Sequence, residues 1–517
     1  MRPPARFGRF DLVLALVSLA LIGWALAGLR GSLDGLTIER GTLADTPYTL
    51  YRPATGTVGP AIVIAHGFAG SQPLMQAFAV TLARNGYAAV TFDFLGHGLN
   101  PKPLTGSITE VKGATLALVA ETETVVAAAR GWGDGRVALL GHSMASDIVV
   151  RVADRDPGIA ATVAVSMFSP VVTATVPKNL LIIVGNLEGF LKEEALRVVG
   201  LTSAPAAAEA GRTYGDVATG TARRAVFAPG VEHVGVLFSA TSQAAALDWF
   251  DQSFGVSRTA APYIEARGLT VLALLLGAIL IGRPLARLLP VVTEAPAGAG
   301  LPWRRLWPVL VVPALLTPLL LRVLPTDFLP ILVGDYLAAH FLLYGVLTAA
   351  MLVRATRHAP SHATAPAEGG FRPGAFVIAG LVAFAYATVG IGAAIDHAVT
   401  SFTPIPARWP LIGAVFLGTL AYFLATSWAT HGVGTGRGAP LVATLLFLAS
   451  LVFAVALDFE RLFFLAIIVP VIIPFFLVYG LIGHWLTQRT GHPQIAALAS
   501  ASAFALAIGV TFPMLAG

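Results

Sequence analysis

The stretch "VALLGHSMAS" (137–146) drives an apolar run into Gly141, His142, Ser143, Met144 and Ala145. A short apolar run ending in small residues reads as a buried strand that breaks into a tight turn. Small neighbours are needed because the following helix crosses close to the strand, and the turn lifts the Ser143 hydroxyl above the sheet. The start of that helix adds backbone N–H groups suited to an anion. A hydroxyl presented this way has the chemistry of a nucleophile. At neutral pH it needs an adjacent base, and the base needs a carboxylate to hold its tautomer and stabilise its charged form. With 11 histidines and 28 acidic residues in the chain, the surrounding elements must decide which of them meet the serine.

Those elements alternate. Strands are expected over 61–67, 88–94, 136–141, 161–168, 179–185 and 223–230, and helices over 71–87, 108–131, about 143–154 and 243–254. Strands alternating with helices argue for a parallel sheet covered on both faces, with function collecting at the carboxyl ends of the strands.

With its elements in this order, the chain resembles the α/β-hydrolase family over about residues 36–257. "GHSMA" is similar to the family's nucleophile elbow, with Ala145 where a glycine usually stands. "AHGFAGS" (65–71) resembles its oxyanion-loop His-Gly motif, and "DFLGHGLN" (93–100) its Asp-x-x-Gly-His-Gly loop. The resemblance implies a mostly parallel, doubly wound sheet and a catalytic serine, acid and histidine in that chain order. It matches Ser143 to the nucleophile. Glu188, three residues after the glycine of "NLLIIVG", matches the acid, with Asp216 in reserve, and His233 after "RRAVFAPG" matches the base. The oxyanion hole then falls to the backbone N–H groups of Phe68 and Met144. His66, His97 and His142 are left with structural roles. Only "SPVVTATVPK" (169–178) separates two expected strands where many family members insert a lid, so about 189–222 is expected to cover part of the cleft, and otherwise the site is open or roofed by the extracytoplasmic loops of the membrane half.

The rest of the chain implies a second solvent. Hydrophobic residues make up 56% of the 517 and charged residues 12%, a balance that fits a polytopic membrane protein. All four lysines lie before residue 260. Cysteine is absent, which excludes disulfides and Cys-based metal centres; no cofactor or metal is expected. The net charge of +5 comes from arginines between apolar runs, which read as topology signals and not as nucleic-acid contacts. Nine spans are expected, near 12–29, 268–286, 306–324, 327–353, 371–395, 409–430, 439–457, 462–485 and 493–515. The first reads as an uncleaved anchor. With the N terminus cytoplasmic, the inside segments hold twelve arginines and the outside ends five (Arg30, Arg267, Arg322, Arg408 and Arg461), so the segment between spans one and two is expected outside a bacterial cytoplasmic membrane. Three regions follow: an anchor over 1–34, an extracytoplasmic α/β-hydrolase domain over 35–260, and a polytopic domain of about eight helices over 261–517.

In the fourth span Tyr336, His340 and Tyr344 share one helix face, with Asp335 pointing elsewhere, and a hydrogen-bonded stripe joining spans is favoured over a proton or ligand path. Three functions meet these expectations. One is a membrane-integral serine hydrolase acting on an amphiphilic ester. Another is an acyltransferase using the same triad. The third is a transporter or receptor whose hydrolase-like domain only binds ligand. The expected partners are the lipid bilayer and the substrate, with the oligomeric state left open.

Overall fold

The computed structural model describes residues 7–107, 111–357 and 370–516. Arg2 and Arg6 of the arginine count and residues 108–110 of the expected helix over 108–131 lie outside the described residues, as does the side chain of His397. The chain forms two compact units. One comprises Trp24–Ala273 together with Asp396–Ser401 and the stretch from Pro513; the other comprises the chain up to Gly23, Leu274–Ile395 and Phe402–Phe512. The insert expected over 35–260 is thus joined in its unit by two short segments from much later in the chain.

The first unit is built on a nine-stranded sheet. In chain order the strands are β1 (Leu36–Leu43), β2 (Thr46–Pro53), β3 (Ala61–Ala65), β4 (Ala88–Phe92), β5 (Val137–His142), β6 (Ile159–Val165), β7 (Leu180–Gly185), β8 (Thr213–Tyr214) and β9 (Arg223–Ala228). Their spatial order is β1-β2-β4-β3-β5-β6-β7-β9-β8. The run from β4 to β9 is parallel, with Ala61 opposite both Ala88 and Val137 and Leu180 opposite Arg223. The antiparallel β1–β2 hairpin and the short β8 were not expected. The hairpin turns at Ala44 and Asp45, both at positive φ, without the Asn-Gly pair that marks such a turn in a sequence.

The central strands are buried on both faces, and their side chains divide by parity. Ile62, Ile64 and Leu140 pack under α2 (Gln72–Arg84) and, near the chain's later half, α6 (Ala240–Phe254), through Phe78, Leu82, Trp249 and Phe250. Val63, Leu139 and Val137 pack on the other face against α3 (Leu116–Ala129) and α4 (Met144–Arg155). Burying each of these large side chains contributes about 1.5–3 kcal/mol. A third cluster sets β7 against α5 (Gly189–Ser203) through Ile182, Val184 and Val198. Residues 166–179 join β6 to β7 without a helix or strand, so no lid domain interrupts the sheet there.

The second unit is helical. Among the described residues, nine helices are long and apolar enough to cross a membrane: Arg9–Gly31, Arg267–Leu288, Trp303–Leu321, Gly334–Arg357, Pro373–Asp396, Pro406–Ala429, Ala439–Leu457, Phe463–Thr490 and Pro493–Thr511. The fourth starts at Gly334 and not at 327, because Pro330 disfavours the helical region for the residue before it, Leu329, and leaves Asp327 outside the helix. The eighth runs on to Thr490 through Pro470 and Pro474. Small residues let backbones approach: a methyl group at Gly345 would strike Ala421, and one at Gly418 would strike Ala338. His340 is fully buried and bonded to Ser450 Oγ at 3.1 Å, joining the fourth and seventh spans, while Tyr344 donates to the Leu310 carbonyl of the third. Asp335 lies in the first turn of this helix and accepts from the Tyr336 N–H.

Candidate active site

Ser143 stands between β5 and α4 with φ 54° and ψ −118°, a strained conformation for a residue with a side chain. The strain is held from both sides. The Ser143 N–H donates to Val165 on β6, and the Ser143 carbonyl accepts from Ser146 Oγ at 2.6 Å. Gly141 is obligatory here, because a Cβ on it would lie 2.5 Å from the Ala145 carbonyl. Helix α4 therefore crosses close over the strand it follows.

Three groups from separate loops converge on the serine side chain. Ser143 Oγ lies 2.8 Å from His233 Nε2, and His233 Nδ1 lies 2.6 Å from Glu188 Oε1. His233 follows β9 and Glu188 follows β7, so each stands at the carboxyl end of its strand, as Ser143 does. A carboxylate only accepts, so the Glu188 contact puts the neutral imidazole's proton on Nδ1 and leaves Nε2 to take the serine proton. The other carboxylate oxygen accepts from Ser166 Oγ at 2.8 Å and from the Gly185 N–H at 2.6 Å. Three donors therefore hold Glu188 in one orientation. Its side chain is 7% exposed against 36% for His233, so the carboxylate is sheltered while the imidazole stays accessible. Asp216 is exposed, accepts from the Ala218 N–H and is not brought to His233.

His142 lies behind the serine. Its Nε2 is 2.9 Å from the backbone carbonyl of His233, which can only accept, so His142 carries its proton on Nε2. Burial, together with the neighbouring His233, pushes its pKa down to about 3, and it is neutral at working pH. His66 is also buried and its pKa lowered by that burial. Its Nε2 accepts from the Phe94 N–H, which directs its Nδ1–H to the Gly67 carbonyl. Gly67 passes so near the elbow that a Cβ on it would lie 3.0 Å from Ser143 Cβ. The turn from Gly67 to Gly70 is closed by the Gly70 N–H on the Gly67 carbonyl and contains Phe68, and Met144 is the first residue of α4. The ring of Phe68 packs edge-on against buried His97.

The 93–104 loop is bound to the same turn. Asp93 accepts from the Gln72 N–H, from Gln72 Nε2 and from the Leu99 N–H. A methyl group at Gly98 would collide with the Asp93 carboxyl, which gives the second glycine of "GHG" its reason. Glu121 of α3 lies under the loop and accepts from Leu95 N–H, Thr46 Oγ1 and Asn100 Nδ2. Burial outweighs these donors and raises its pKa to about 7.

Residues 57–198 match the family model described as hydrolase 4, serine aminopeptidase, S33. The chain carries an α/β-hydrolase domain. Solved structures similar to the hydrolase domain include a CIB-like hydrolase from Thermoplasma acidophilum, at 14% identity and TM-score 0.33, covering 42% of this chain and 97% of that one. An epoxide hydrolase from Vigna radiata matches at 22% identity and TM-score 0.22, covering 26% and 40%. A membrane phospholipase A, described as a bacterial virulence factor, matches at 16% identity and TM-score 0.33, covering 47% and 94%. No curated protein matches the chain.

Two polar partners in the hydrolase domain escape sequence reasoning. Ser166 directly follows β6 inside the apolar run "ATVAVSMF", where a lone hydroxyl at a strand tip is the only signal. The bond from His142 to a backbone carbonyl 91 residues away leaves no signal at all.

Proposed function

We propose that this chain is a membrane-integral serine hydrolase that cleaves an ester or related acyl bond of an amphiphilic substrate through an acyl-enzyme. The observation that carries the reading is the unbroken path from Ser143 Oγ through the His233 ring to Glu188, with contacts of 2.8 and 2.6 Å. In this mechanism His233 Nε2 takes the Ser143 proton as Oγ attacks the acyl carbonyl. The N–H groups of Phe68 and Met144 face the developing oxyanion, and Glu188 stabilises the imidazolium. His233 then protonates the leaving group. A water, deprotonated by the same nitrogen, releases the acid and restores the serine.

The amphiphilic substrate rests on the surface beside these residues. Phe168, Leu187 and Phe190 are large apolar side chains, 53%, 66% and 67% exposed. Leu187 and Phe190 flank Glu188, and the Phe168 and Phe190 rings lie 6.1 Å apart. Exposed apolar clusters beside a nucleophile suit an acyl chain. On the arginine distribution, the hydrolase domain faces the extracytoplasmic side of the membrane, with the N terminus cytoplasmic.

The test uses the full chain in nanodiscs. A fluorophosphonate should label it, Ser143→Ala should remove the label, and His233→Ala should lower turnover by roughly 10⁴-fold or more. For a series of acyl esters, kcat/KM should rise with chain length, at about 0.8 kcal/mol per buried methylene. Label retained by Ser143→Ala would end the serine mechanism; a flat chain-length profile would end the amphiphile.

A further inference from the structure

Ser71 directly follows the turn that carries Phe68 and stands at the N-cap of α2, where a serine side chain ordinarily accepts from the helix's own N–H groups. Its hydroxyl makes no such bond. Instead it accepts from the Ser401 N–H at 2.7 Å and shares a hydrogen bond of 2.7 Å with the Thr400 hydroxyl. Ser71 is 1% exposed and Ser401 7%, so these bonds are shielded from water. The partners come from 329 and 330 residues further along the chain.

A second distant segment holds the neighbouring loop. The Met514 N–H donates to the Gly96 carbonyl at 2.9 Å, the Leu104 N–H to the Met514 carbonyl at 2.8 Å, and the Ala516 N–H to the Leu104 carbonyl at 2.9 Å. Leu104 and Leu515 form a parallel bridge, and Leu515 packs against the core beneath. Gly96 has φ +74°, and a Cβ on it would lie 2.5 Å from the Met514 carbonyl. The two clamped loops are themselves one assembly, joined by Asp93 to Gln72 and by the Phe94 N–H to His66.

We propose that residues 400–401 and 514–516 are positioning segments that hold the Gly67–Gly70 turn, and with it the Phe68 N–H, at the geometry the oxyanion requires. The inference rests on the serine mechanism proposed above. Both segments follow membrane-type helices in the chain, so catalytic competence of the hydrolase domain depends on chain that lies beyond residue 273. A removed oxyanion donor lowers kcat by roughly 10²–10³-fold. A donor that is displaced and not lost should cost less.

The experiment uses the full chain in nanodiscs, with turnover normalised to the serine titrated by fluorophosphonate. Thr400→Val and Met514→Pro should each lower kcat per active serine by roughly ten- to a hundredfold while KM stays within about twofold. Affinity for a trifluoromethyl ketone, whose adduct places an oxyanion in the same hole, should fall in parallel. Thr400→Ser, which keeps the hydroxyl, should recover to within about threefold of the parent. A general loss of fold would lower the titrated fraction and leave kcat per active serine unchanged. Parent-like kcat and ketone affinity in Thr400→Val would overturn the proposal, including where Met514→Pro does not fold. Failure of Ser143→Ala to abolish labelling would instead strike the serine mechanism.

Discussion

His142 Nε2 lies 2.9 Å from the backbone carbonyl of His233, so the residue preceding Ser143 also ties down the loop that carries His233. One side chain thereby couples the tip of β5 to the loop after β9. Replacing His142 with alanine should lower kcat about tenfold or more through misplacement of the His233 ring. With its pKa near 3, His142 stays neutral through the working range. The acid limb of the pH–rate profile should therefore keep its position in the variant. Its displacement by a full pH unit would mean that His142 itself titrates in the reaction.

The acid is tested by a set of three substitutions. Glu188→Gln should lower kcat by roughly 10³–10⁴-fold, since Gln can no longer stabilise an imidazolium. Ser166→Ala removes one of three donors to that carboxylate and should cost about tenfold. Asp216→Asn should leave kcat within about twofold. Steady-state kinetics on one ester decides all three, and a silent Glu188→Gln beside an inactive Asp216→Asn would reassign the acid.

Glu121 should make the loop over 93–104 sensitive to pH. Its pKa is near 7 in the fold against about 4.5 for a free glutamate. Between those values the folded state binds more protons than the unfolded state, so stability falls as pH rises through that window. Hydrogen exchange of the loop amides, corrected for intrinsic rate, should show less protection at pH 8 than at pH 5. In Glu121→Gln this difference should shrink, and an unchanged pH dependence would sever the link.

Topology is tested by single-site tags in intact spheroplasts. A tag on the exposed Asp216 loop should react with a membrane-impermeant reagent, whereas one in the 289–302 connection should react only after lysis. The reverse pattern would invert the arginine reading.

Much of the architecture was legible in the sequence because it follows from local pattern. Apolar runs of strand length, each with a glycine nearby, placed six strands of the sheet to within a few residues, and longer runs placed nine membrane-type helices. The β1–β2 hairpin was missed because Ala44-Asp45 carries no turn signature, and β1 has no buried residue to give it an apolar run. The fourth span shifted because hydropathy is blind to the backbone restriction that Pro330 places on Leu329.

Within the site, the sequence by itself determined that Ser143 ends a strand on a turn where only small residues fit, since sterics between α4 and β5 act within five residues. The bonds around it were decided by tertiary structure alone. Glu188 meets His233 across 45 residues, and Ser166 meets Glu188 across 22, because the parallel order β5-β6-β7-β9 sets their strand ends side by side. The hydrogen bond between the Ser71 hydroxyl and a hydroxyl 329 residues away belongs to the same class. The residue type of Ser71 promised an ordinary helix cap, and only the fold could bring a stronger claimant to that oxygen.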